Sequence, residues 1–136
     1  MDDLVQFLRA RLDDDSAAAR AASWDEDGDR WDTQHQGQWS VIDHTDDGVI
    51  EVPPHAANDA GVAQHMARHD PARVLREVEA HRLLLKRYDE PETSPDLPDS
   101  MNKLTSGVQR QVLADVFRVL ALPYADHPDY QETWKP

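Results

Sequence analysis

Two histidines four residues apart offer the clearest chemistry in this sequence. His65 and His69 stand in the stretch QHMARHDPARV, directly before Asp70 and Pro71. On a helix, residues four apart share a face, so both imidazoles could bind one metal ion. A zinc protease of the H-E-x-x-H type needs glutamate after the first histidine. Met66 occupies that position, so the general base of such a protease is missing.

A non-protease metal site would need further ligands from outside this helix. The densest source is the stretch DHPD, residues 126–129. We therefore predict a site for a divalent metal such as zinc, built from His65, His69, Asp126 and His127. The structural alternative is specific. His69 would lie in the last turn of its helix, where a protonated imidazole interacts favourably with the helix dipole, and His65 would be an ordinary surface residue.

The elements that must position these side chains are predicted to be mostly helical. Leucines recur at every fourth position from Leu4 to Leu12, which predicts a helix over residues 2–22. Asn58 is the predicted N-cap of a short helix ending at residue 69, and Asp70 followed by proline starts another that runs to Tyr88. A last helix is predicted over residues 104–122. The helices should pack antiparallel around an apolar core of Val74, Val78, Leu85, Val112, Val116 and Leu120.

A change of periodicity predicts one small β-hairpin. The runs QWSVID (38–43) and VIEV (49–52) are separated by HTDDG (44–48), a turn-forming stretch, and two prolines end the second run. An isolated hairpin is marginal in water, so these strands must pack against helices. The predicted fold class is therefore mainly α, with α+β character from the hairpin.

The length of 136 residues predicts a single domain over residues 1–136. Two segments within it are predicted to be mobile. The first is an acidic loop over residues 23–37, and the second is a proline-rich linker over residues 89–103 with almost no apolar side chain. The C-terminal stretch is rich in aromatic residues, so Tyr124, Tyr130 and Trp134 are expected to pack back onto the helices.

Composition narrows the classes of function. The formal net charge is −13, which disfavours direct binding to a nucleic-acid backbone. The sequence has no cysteine, so disulfides, thiolate zinc sites and cysteine nucleophiles are excluded. No apolar run approaches the ~20 residues that span a bilayer, and the first residues lack the pattern of a signal peptide. We expect a cytoplasmic protein that does not act at a membrane.

Three stretches together resemble a known family: DDLVQFLRARLD (2–13), HMARHDPARVLREVEAHR (65–82) and LALPYADHPDYQETWKP (120–136). This is a family of small acidic proteins from actinobacteria and their phages whose function is uncharacterised. The resemblance implies a bacterial or phage cytoplasmic protein and supplies no catalytic residue. It also implies that the histidines of the second stretch and the DHPD motif of the third could meet in space.

Three hypotheses for function remain open. The first is a non-enzymatic accessory protein that binds a protein partner, with aromatic anchors at Trp24, Trp31 and Trp134. In an acidic variant of it, the chain is a DNA mimic that inhibits a basic nucleic-acid-binding protein. The second is a metal-binding protein or metal-dependent hydrolase. The third is a homodimer formed through helices 71–88 and 104–122. An enzyme is the less favoured class, because the sequence has no nucleophile elbow, phosphate-binding glycine loop or dinucleotide fingerprint.

Overall fold

A computed structural model describes residues 1–24, 28–54 and 58–136. This part of the chain contains four α-helices and one three-stranded antiparallel sheet, which confirms the mainly α fold with a β-hairpin. The elements in chain order are α1 (Asp2–Ala21), β1 (Trp31–His35), β2 (Trp39–Asp43), β3 (Gly48–Glu51), α2 (Asp59–Arg68), α3 (Pro71–Asp89) and α4 (Asp99–Ala121). Two short 3-10 helices, Leu122–Tyr124 and Glu132–Trp134, follow α4.

The chain divides into two compact units. Unit 1 consists of residues 1–13 and 79–136, and unit 2 consists of residues 14–78. Unit 1 therefore holds the first part of α1, the second part of α3 and all of α4. Unit 2 holds the sheet and α2. The single-domain organisation with mobile segments stays a prediction.

Unit 1 is built on an antiparallel pair formed by α1 and α3. Arg9 contacts Asp89 at 2.5 Å, and Asp13 contacts Arg82 at 2.6 Å, so the chain direction is opposite in the two helices. The predicted leucine stripe of α1 is confirmed, because Leu4, Leu8 and Leu12 are all buried. Burying such apolar side chains is the main favourable term in forming this unit.

The buried face of α4 differs from the predicted one. Val78 and Leu85 of α3 are buried as expected, but Val112 of α4 is exposed, so its predicted place in the core is wrong. Val74, Val116 and Leu120 are only half-buried. The α4 side chains that are buried are Ala114, Phe117 and Ala121. Apolar residues occur on more than one side of α4. The side with two small alanines and one large ring is the one buried, because it allows close packing.

The start of α4 also differs from the prediction. The helix begins at Asp99, so residues 99–103 of the predicted proline-rich linker are helical. The side chain of Asn102 stabilises this first turn, because it accepts a hydrogen bond from the backbone N–H of Ser94 at 2.9 Å and donates to the Ser94 carbonyl at 2.9 Å. Local side-chain bonds of this kind tie the preceding segment to the helix.

The sheet of unit 2 has the strand order β1-β2-β3. The prediction of a loop over residues 23–37 is wrong for residues 31–35, which form β1 and pair with β2 in the register Thr33↔Val41. Polar residues dominate this strand, so its sequence gives no strand signal; the backbone pairing and the packing of Trp31 near Val41 hold it in place. Residues 25–27 of the predicted loop lie outside the described residues.

Two residues in the turns of the sheet adopt a left-handed backbone. Gly37, between β1 and β2, has φ 76°, and Asp46, between β2 and β3, has φ 64°. The second turn is held by Asp43, which is 2% exposed. Its carboxylate accepts hydrogen bonds from the backbone N–H groups of Thr45 at 2.8 Å and Asp47 at 3.0 Å. Burial raises the pKa of Asp43, but the hydrogen bonds outweigh burial and hold its pKa below the usual value.

Both predicted helix caps in unit 2 are confirmed. Asn58 accepts a hydrogen bond from the N–H of Gly61 at 3.0 Å at the start of α2. Asp70 accepts one from the N–H of Arg73 at 2.8 Å at the start of α3. The second carboxylate oxygen of Asp70 also accepts the N–H of Trp31 at 3.3 Å. Asp70 therefore joins the first residue of β1 to the start of α3.

Candidate functional site

An exposed apolar face runs along α4. Six side chains form it, five on α4 and one, Leu122, at the residue that follows the helix, and each is between 42% and 61% exposed: Met101, Leu104, Val108, Val112, Val119 and Leu122. At 100° per residue they lie within an arc of about 80°, on the side of the helix opposite Phe117. We call these six residues the α4 apolar face. The hydrophobic effect favours covering such a surface.

One charged residue interrupts the α4 apolar face. Asp115 lies on the same arc, one turn from Val112 and one turn from Val119. Its carboxylate contacts the guanidinium of Arg118 at 3.5 Å, and both side chains are substantially exposed. Such a surface ion pair adds little stability. Asp115 nevertheless places one paired carboxylate within the α4 apolar face.

The two histidines of the predicted metal site lie together in unit 2. The ring centroids of His65 and His69 are 4.5 Å apart at the end of α2. Nδ1 of His69 lies 2.9 Å from the carbonyl oxygen of His65. A carbonyl only accepts, so Nδ1 of His69 donates, and in the neutral imidazole the lone pair is then on Nε2. A histidine that binds a metal through one nitrogen commonly donates its other N–H to such an acceptor.

The other two predicted ligands lie in unit 1. His127 is fixed by the guanidinium of Arg11, whose Nη1 lies 2.8 Å from Nδ1 and also contacts Nε2. The backbone N–H of Asp129 donates to the same Nδ1 at 3.1 Å. Because guanidinium and amide groups only donate, Nδ1 of His127 acts as an acceptor. Asp126, one residue earlier, is exposed.

Within neither unit do the described residues bring together three or more His, Asp or Glu side chains in an arrangement that could hold a metal ion. The four-residue site made of His65, His69, Asp126 and His127 stays a prediction.

The three predicted aromatic anchors have different surroundings. Trp24 is 55% exposed, and its indole N–H donates to Asp43 at 3.2 Å. Trp31 is half-buried against the sheet and donates to the carbonyl of Gly28 at 3.0 Å. Trp134 is 9% exposed and packs on Phe7, with 5.0 Å between the ring centroids. The expected packing of the C-terminal aromatic residues is therefore observed within unit 1. A role of the three tryptophans in partner binding stays a prediction.

Sequence reasoning missed a cleft in unit 2. It has a volume of about 420 Å³, and its lining includes His35, Trp39, Val52 and Asn58. The rings of His35 and Trp39 contact each other at a centroid distance of 5.0 Å and are tilted by 54°. The sequence carried one signal for it, since a histidine and a tryptophan flank a glycine-containing turn. The open cleft therefore places an indole beside an imidazole, two planar groups that can contact another ring.

Sequence reasoning also treated Val112 as core and so missed the α4 apolar face. The available signal was the apolar spacing of three and four residues from Met101 to Leu122, beside a second apolar stripe. In residues 1–24, 28–54 and 58–136, no helix combines the length and apolar character needed to cross a membrane.

These features define a small, mainly α-helical protein with a three-stranded sheet, an exposed apolar helix face and a histidine pair. Over residues 1–136 the chain matches a family of unknown function (DUF6221), and it belongs to that family. No curated protein and no solved structure matches the chain.

Proposed function

We propose that this protein acts by binding a protein partner through the α4 apolar face. The observation that carries the proposal is the exposure of six apolar side chains on one side of α4 and of the residue that follows it, interrupted only by Asp115. By area they expose on the order of 600 Å², at the upper end of the largest apolar patches on monomeric proteins. A patch of this kind on a helix suits the docking of another amphipathic helix, whose own apolar residues would pack along the α4 apolar face.

The proposed role is that of a non-enzymatic accessory protein. Binding needs an apolar surface with a polar rim, and the ion pair of Asp115 and Arg118 supplies polar groups to that surface. The resemblance to small acidic proteins of actinobacteria and their phages supports a bacterial or phage origin. The cysteine-free sequence fits the reducing cytoplasm, which is the proposed location.

A photoreactive amino acid at position 108 tests the proposal in cells that produce the protein. We expect a defined covalent adduct whose partner is identified by mass spectrometry and then binds the purified protein. A Val112→Glu substitution should weaken that binding at least tenfold, because it introduces a charge into the interface. The matched control carries the photoreactive group at Val62, an equally exposed valine on α2. If positions 108, 112 and 119 all give no adduct beyond the Val62 control, the proposal is wrong.

A second candidate function is metal binding by the histidine pair of α2. The observation that favours it is the 4.5 Å ring separation together with the donation from His69 Nδ1 to a carbonyl. These features orient His69 and leave one nitrogen available for zinc. Both rings stand at the exposed end of the helix, so water can supply the remaining ligands.

Zinc titration followed by calorimetry tests this candidate. At a free metal concentration about 100 times its Kd, binding should stabilise the folded protein by about 2.7 kcal/mol and raise its melting temperature. A His65→Ala/His69→Ala double variant should lose the effect, while His44→Ala, which removes an exposed histidine elsewhere, should keep it. An unchanged melt in zinc and in chelator contradicts metal binding.

The remaining alternative is a DNA mimic that binds a basic nucleic-acid-binding protein. It is supported by the sequence of residues 14–78, which has five Lys and Arg against fourteen Asp and Glu. Binding through this charge should weaken steeply as salt concentration rises.

A further inference from the structure

Four of the six side chains of the α4 apolar face are placed symmetrically about Arg110, while the mirror position of Leu122 is Pro98, directly before the helix. Val108 and Val112 lie two residues on either side of Arg110, and Met101 and Val119 lie nine residues on either side of it. Leu104 is matched in the same way by Val116, which is half-buried at the border of the face. Apolar positions that match on the two sides of one residue are what two identical helices need when they pack antiparallel.

We propose that the partner of the α4 apolar face is the α4 helix of a second copy of this chain, packed antiparallel with Arg110 level with the two-fold axis. This inference rests on the proposed function and names its partner. In an interface with two-fold symmetry, if one residue of the first copy contacts a second residue of the other copy, the same contact occurs with the copies exchanged. Val108 then packs on the second copy's Val112, and Met101 packs on its Val119.

The exposed area agrees with this occupant. Two copies that cover their faces bury at most about 1,200 Å² in total, which is the lower limit for a specific protein–protein interface. The 23 residues of α4 form a helix about 35 Å long, so one helix pair can hold the whole stripe. The size predicts a reversible dimer rather than an obligate one.

The charge in the stripe selects the antiparallel direction. In a parallel pair in register, Asp115 would face the same carboxylate of the second copy, and two like charges would repel each other. In the antiparallel pair, Asp115 lies opposite Thr105, because both are five residues from Arg110. Thr105 is uncharged, and its hydroxyl donates within its own helix to the carbonyl oxygens of Met101 and Asn102, each at 3.0 Å, so no second carboxylate faces Asp115. Asp115 also keeps Arg118 as its partner within the same helix.

Sedimentation analysis over a concentration series tests the dimer. The wild-type chain should show a reversible monomer–dimer equilibrium. Val108→Glu should raise the dimer Kd on the order of 100-fold, because each copy then buries one carboxylate among the apolar side chains near the two-fold axis. Val62→Glu, which makes the same change at an exposed site of α2, should leave the Kd unchanged. Asp115→Leu should lower the Kd. A wild-type chain that stays monomeric at every concentration, or a Kd that Val108→Glu leaves unchanged, overturns the inference.

Single cysteines test the direction and register, since the chain has no cysteine of its own. Mixed Met101→Cys and Val119→Cys chains should form a disulfide-linked dimer on mild oxidation. Met101→Cys alone should not, because its two cysteines would lie about 27 Å apart along the helices. Efficient self-linking of Met101→Cys overturns the antiparallel register.

The photoreactive group at position 108 separates this inference from the broader proposal. An adduct of twice the chain mass supports both. A monomeric purified protein with an adduct to a different, identified protein overturns the second copy as partner and leaves the proposed function standing. A monomeric protein without any adduct overturns both.

Discussion

Replacing Trp134 by alanine tests whether the C-terminal segment stabilises unit 1. Trp134 is 9% exposed, and its ring lies 5.0 Å from that of Phe7 and 5.7 Å from that of Tyr130. A large aromatic side chain buries roughly 150–250 Å², which corresponds to about 4–6 kcal/mol of transfer free energy. Measured Trp→Ala changes in cores amount to about 3–5 kcal/mol. Since the segment around Trp134 is short and can collapse into the space, we expect about 3 kcal/mol.

The assay is urea unfolding followed by far-UV circular dichroism, which does not depend on the fluorescence of the tryptophan removed. The matched control is Lys135→Ala, which removes a surface ion pair with Glu132 and should leave the free energy of unfolding nearly unchanged. A Trp134→Ala variant as stable as this control contradicts the packing argument.

Two further predictions concern unit 2. Asp70→Ala should lower the free energy of unfolding by about 1–2 kcal/mol in chemical denaturation, because it removes the cap on the N–H of Arg73; an unchanged stability would show that the cap contributes nothing. The pKa of Asp43 is held below its usual value, so the contribution of its carboxylate to stability is present above the unfolded pKa of about 3.9 and is lost as pH falls through the folded pKa. Asp43→Asn should therefore be less stable than wild type at pH 7, with the difference shrinking below pH 4 in acid-unfolding curves; an equal difference at both pH values contradicts this.

The sequence was sufficient where local chemistry decides the structure. The cap at Asp70 followed by proline defines the start of α3, and the leucines of α1 define its buried side. The hairpin of β2 and β3 follows from two β-branched runs around a turn. Each of these features depends on residues close together in the sequence, so pattern and structure agree.

The sequence was insufficient where the partner of a segment decides its structure. Residues 31–35 form a strand because β2 pairs with them, and the sequence has no run of apolar residues there that would predict a strand. The two apolar sides of α4 are similar in strength, so periodicity alone does not tell which one is buried. Packing resolves it: Ala114 and Ala121 flank Phe117 on the buried side, and the valines face outward. Which side of α4 is exposed therefore became visible only from the structure.

The two turns of the sheet should diverge at different rates among relatives of this chain. Gly37 has open space around the position of an added Cβ, so substitution there is limited only by the backbone φ of 76°. An L side chain at this φ would cost about 1–2 kcal/mol. Asp46 already has a left-handed backbone, which asparagine and glycine adopt as readily. Relatives that keep this sheet should therefore retain glycine at position 37, whereas position 46 should vary among aspartate, asparagine and glycine. A β-branched residue at position 37 should appear only together with a change in the length of that turn.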